Sequence, residues 1–134
     1  MLSIRILPIS FLVLSFATAV FSQEVKPELR EALETVIPEG IRLLEAKEYK
    51  VFVELFVPPA ELKKIAERTP LEEFAKQFGE RKSPQLLEAL NEIKGAKPRL
   101  DDSGTKATFA LREEMGKKRT ITFVKVDKHW YIKN

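Results

Sequence analysis

The spacing of apolar residues changes once along this chain, and the change, at Pro98, sharply limits the folds open to it. Between Pro27 and Lys94 apolar residues recur every three or four positions, the period of an amphipathic helix. Beyond Pro98 they alternate, the period of a half-buried strand. Helices followed by strands predict an α+β domain, with short N-terminal helices packed on one face of a curved C-terminal antiparallel meander of about four strands.

In the helical part, residues 27–94, prolines mark the boundaries. Leu29, Leu33, Val36 and Ile37 form a first stripe, opened by Pro27 and broken or kinked at Pro38-Glu39-Gly40. Ile41, Leu44, Tyr49, Phe52, Leu55 and Phe56 form a second, stopped by Pro58-Pro59. Helices are then expected over Ala60–Glu67, over Leu71–Phe78 with Thr69 as N-cap, and over Gln85–Lys94, begun by Ser83-Pro84 and ended by Gly95. Such short helices need a partner surface to persist.

In the strand part, residues 97–133, strands are expected over Thr105–Glu113, Arg119–Val126 and His129–Lys133, with Leu100 in a short first strand. A three-residue loop at Met115–Lys117 pairs Leu111 with Ile121, Phe109 with Phe123 and Glu113 with Arg119. A two-residue loop would instead oppose Arg112 to Arg119 and Lys106 to Lys125, which like charges disfavour. A two-residue turn at Asp127-Lys128 pairs Phe123 with Ile132 and Val124 with Tyr131. One face then carries Leu100, Ala107, Phe109, Leu111, Ile121, Phe123, Trp130 and Ile132, where the helices are expected to pack.

The first 22 residues are of another kind: 15 are apolar and only Arg5 is charged. A positive start, an apolar run over Ile6–Phe21 and small residues at Ala17-x-Ala19 or Val20-x-Ser22 predict a signal peptide, cleaved after Ser22. The sixteen residues of that run span about 24 Å as a helix, short of a bilayer's roughly 30 Å core, so the membrane is expected to be met only transiently. The mature domain is expected to be residues 23–134, 112 residues of which 44 are apolar, enough for one core. The chain has no Cys, which excludes disulfides, a cysteine nucleophile and a lipid on a cysteine. Without Cys or an N-glycosylation sequon, an exported bacterial protein, periplasmic or extracellular, is the expectation.

The residues Ile41–Phe56 (IRLLEAKEYKVFVELF), Pro59–Ile65 (PAELKKI) and Ile121–Lys133 (ITFVKVDKHWYIK) resemble the nuclear transport factor 2-like superfamily, and within it the small secreted bacterial members. That resemblance implies a cone of helices closed by a curved sheet, whose mouth can hold a ligand or an active site. Related cones often dimerise through the sheet, which makes Val124, Val126 and Tyr131, on the outer face, a candidate homodimer surface. Enzymes of this shape line the cavity with Asp, His or Tyr, whereas the inward strand positions here are apolar.

No constellation of catalytic residues stands out. His129 is the only histidine and has neither Cys nor a second His for a metal site, so no metal or cofactor is expected. Glu72-Glu73, Asp101-Asp102 and Glu113-Glu114 are adjacent pairs that point in different directions, unsuited to acid–base work. Residues 23–93 carry 11 basic and 15 acidic groups and residues 94–134 carry 11 and 5, which puts the basic charge on the strand half. Those cations read as solvating strand edges, since aromatics do not interleave with them, and nucleic acid is not an expected partner. The expectation is an exported, non-catalytic binding or interaction domain. The alternatives are a carrier of small apolar ligands, or an enzyme whose residues the sequence does not mark. Phe109, Phe123 and Trp130 are the candidate cavity residues, with ordinary core packing as the competing reading.

Overall fold

A computed structural model describes residues 26–133, and the expected signal peptide at residues 1–22 lies outside them. A 3₁₀ turn at Pro27–Arg30 precedes five α-helices: α1 (Leu33–Glu45), α2 (Tyr49–Phe56), α3 (Pro59–Arg68), α4 (Leu71–Arg81) and α5 (Ser83–Ile93). Four strands follow, β1 (Arg99–Leu100), β2 (Lys106–Glu114), β3 (Lys117–Val126) and β4 (His129–Lys133), forming one antiparallel sheet in sequence order. The fold is α+β, with helices before strands and a curved, open sheet.

Pro38 and Gly40 do not break the first helix. The positions Leu33, Val36, Ile37, Gly40, Ile41 and Leu44 form one continuous stripe, and α1 runs through both residues. The single backbone bond that Pro38 cannot donate lies close to the start of the helix. Gly40 is selected by packing: a Cβ there would stand 3.0 Å from the Phe56 ring. Helix α1 ends instead at Glu45 and is closed off through Lys47, held at φ 61°. The Lys47 N–H donates to the Leu44 carbonyl at 3.1 Å and the Glu48 N–H to the Leu43 carbonyl at 2.9 Å. This is a Schellman closure built on a lysine, without the glycine that usually signals it.

The expected caps also differ. Pro70, not Thr69, stands at the start of α4, with no side-chain capping bond. Ser83 is the first residue of α5, and its hydroxyl donates back to the Gly79 carbonyl at 2.7 Å, joining α4 to α5. Gly95, at φ 83°, follows α5 as expected.

The register of β2 with β3 departs from the expectation by two residues. Met115 and Gly116, at φ 53° and 76°, form a two-residue hairpin turn that pairs Glu114 with Lys117. A bulge then places Arg112 and Glu113 opposite Lys118 alone. By the time the ladder resumes, Leu111 pairs with Arg119, Phe109 with Ile121 and Ala107 with Phe123. The bulge removes the opposition of Arg112 to Arg119 that a regular two-residue turn would impose. Helix α5 holds it in place, since the Arg112 N–H donates to the Glu92 carboxylate. A shift of two residues conserves the faces, so Ala107, Phe109, Ile121 and Phe123 still point inward. The last turn is as expected, with Phe123 opposite Ile132 and Val124 opposite Tyr131.

The core lies between that face and helices α1, α2 and α5. Phe52, Phe56, Leu90, Ile93, Phe109 and Phe123 are fully buried in it. Leu100 is 54% exposed, because two-residue β1 forms the sheet edge outside the cover of the helices.

Candidate functional site

The short helices α3 and α4 do not share fully in this core. Proline brackets α3 at both ends, through Pro58-Pro59 and Pro70, and proline pushes the residue before it into extended backbone. Helix α3 therefore stands as a separate segment, and none of its residues is buried. Between α3, α4, α5 and the inner side of β2–β4 lies a cleft of about 950 Å³, open to solvent.

Its inner wall is apolar. Phe52 and Phe56 stack at 4.3 Å between centroids and 4° between planes, and Phe78 extends the stack from Phe52 at 5.5 Å. Leu86, Ile121 and Ile132 complete the floor, while Ile65 of α3 and Phe74 of α4 face across it. Lys64, Arg68, Arg81, Lys82, Lys106 and Lys133 also line the cleft, and Glu61 is its one carboxylate among the described residues. On α3, Glu61, Lys64, Ile65 and Arg68 fall at i, i+3, i+4 and i+7, which is one helical face.

The residues that the sequence offered as cavity walls lie behind this cleft. Phe109, Phe123 and Trp130 are 1%, 0% and 5% exposed and do not line it. Phe109 meets Phe123 edge to face at 5.8 Å, an ordinary core aromatic pair. Lys125, on the same face, carries its ammonium 5.7 Å from the Trp130 ring centre and closes that end of the core. The sequence reading missed the cleft because Ile65, Phe74 and Phe78 are the same residue types that fill a core. The face of α3 that mixes one isoleucine with two cations was the available signal.

The outer face of the sheet is changed by the 3₁₀ turn. Tyr131 is 7% exposed, with the Arg30 guanidinium 5.2 Å from its ring centre. Arg30 also donates from Nη2 to the Leu55 carbonyl at 2.8 Å, which ties the turn to α2. The strip of Val124, Val126 and Tyr131 is thereby reduced to its valines.

Elsewhere the polar contacts are structural. The Glu72 carboxyl is held below its ordinary pKa, first by its own backbone N–H and then by the Lys50 ammonium at 3.2 Å, outside the cleft. Among the described residues no three His, Asp or Glu side chains converge as a metal site would require. Comparison of the chain with models of known families, with characterised proteins and with solved structures finds no match to any of them.

Proposed function

We propose that this protein is an exported, non-catalytic binding domain that holds a small ligand in the cleft between α3, α4, α5 and the sheet. The cleft itself carries the reading. Its volume of about 950 Å³ lies within the roughly 300–1,000 Å³ typical of small-molecule sites, and its floor is aromatic and aliphatic. A binding rather than catalytic role is supported by the lining, which among the described residues offers amides, threonines, cations and one carboxylate but no His, Cys, Ser, Asp or Tyr. Export is supported by the composition of residues 1–22, and kinship with the nuclear transport factor 2-like cones by the helix-to-meander order with Trp130 on the last strand.

Native mass spectrometry of the protein purified from its own cell envelope tests the binding reading. A bound small molecule, released on denaturation, is the expected result. A bare chain, together with an unchanged melting temperature across a panel of alkyl amphiphiles, would contradict it. The same spectra test export, since the mature chain should begin at Gln23 and not at Met1.

A further inference from the structure

Resting on the cleft as the binding site, we infer that its ligand is a single-chain anionic amphiphile, an alkyl chain ending in a carboxylate or a comparable anion. The first support is the distribution of charge. Acidic groups outnumber basic ones in residues 23–93, yet four of the five charged residues from this half that line the cleft are basic. Those four are Lys64, Arg68, Arg81 and Lys82; Lys106 and Lys133 border the cleft from the strands but share the outer sheet face with Val124 and Tyr131. The acids of α3 and α4 at Glu67, Glu72, Glu73 and Glu80 do not line it.

The second support is that these cations are unpaired. Among the described residues none of the four helix cations makes a salt bridge. Lys64 and Arg68 also stand at i and i+4, where like charges repel. An anion lodged between the ends of α3 and α4 would relieve that repulsion, while its chain covered Phe74, Phe78 and Leu86. The third support is α3 itself. It presents Ile65 to the cleft but buries none of its residues, so an alkyl chain would supply the apolar partner that the helix lacks.

Titration calorimetry on the full chain, with sodium decanoate, decanol, decyltrimethylammonium and acetate below their aggregation limits, tests this directly. Decanoate is expected to bind about ten-fold or more tightly than decanol, with decyltrimethylammonium weakest and acetate without measurable affinity. The decanoate advantage should shrink as salt rises from about 50 to 500 mM. Replacing Lys64→Glu and Arg68→Glu together, both exposed, should abolish the preference and leave decanol affinity within about two-fold; unfolding midpoints would confirm that this variant folds. Equal affinity for decanoate and decanol would overturn the anionic inference and leave the apolar cleft standing. Acetate binding as tightly as decanoate would overturn the requirement for a chain. No binding by any alkyl compound would overturn both this inference and the cleft as a binding site.

Discussion

Gly79 sits where the ring of Tyr49 crosses α4, and a Cβ at that position would overlap the ring. In an exposed helix interior, Gly→Ala stabilises by about 1 kcal/mol. Here overpacking reverses the sign, and Gly79→Ala should destabilise by about 1–3 kcal/mol, read as a lower urea midpoint with an unchanged slope. A raised midpoint would mean that Tyr49 moves aside without cost. Asp101 supplies a second test at this scale. Some loss of solvation raises its pKa, but the Lys106 N–H, the Ser103 hydroxyl and the N–H groups of Thr105 and Gly104 outweigh that and hold it below its ordinary value. The direct bonds to the carboxylate from Thr105 and Lys106 are 3.0 and 3.1 Å. A carboxyl with a depressed folded-state pKa stabilises above its unfolded value, about 3.9, and loses that contribution as pH falls through the folded value. The stability difference between the wild type and Asp101→Asn should therefore be present at pH 6 and shrink below about pH 4. Denaturation curves at the two pH values would show it, and a difference constant with pH would contradict it.

Among the elements, α3 is set apart by its proline brackets and its lack of buried residues. Few apolar contacts make for low local stability. Its amides are expected to exchange with solvent faster than those of α1 and α5 in hydrogen-exchange measurements, and to slow when decanoate is added. Protection equal to that of α5 would contradict the description of α3 as a loosely held wall. How well each element could be read from sequence follows the range of the forces that define it. The helices over 59–68 and 71–81 and the last hairpin depend on local signals, proline positions and a two-residue turn, and were legible. The closure at Lys47 was not, because its carbonyl bonds do the work that glycine usually announces. The β2–β3 register also escaped, since Met115 gives little sign of a positive φ. The bulge that separates Arg112 from Arg119 becomes evident only once Glu92 of α5 is in place. The inward face survived that error because a slip of two residues preserves parity.

At the scale of the molecule, the five helices and four strands of the described residues divide into two layers of contact. Helices α1, α2 and α5 close the core over Phe109 and Phe123, while α3 and α4 stand farther out and leave the cleft. The inward aromatic cluster was legible, but its division into core and cleft wall was not, since periodicity marks a side chain as turned from solvent without saying what it meets. The 3₁₀ turn bears on the whole in a similar way, because Arg30 links α2 to the opposite face of the sheet through Leu55 and Tyr131. Arg30→Ala should cost about 1–3 kcal/mol in chemical denaturation, as a hydrogen bond from a charged group and a cation–π contact are lost together. A loss below about 0.5 kcal/mol would show that the turn is held by its backbone alone. The claim that joins these levels is that the cleft, and not the sheet surface, receives the ligand. Amide chemical-shift mapping of the isotopically labelled full chain during a decanoate titration measures this most directly. Saturable shifts at Ile65, Phe74, Phe78, Leu86, Ile121 and Ile132, with Val124 and Val126 unmoved, are the predicted result; shifts centred on Val124 and Val126, or none that saturate, would contradict it.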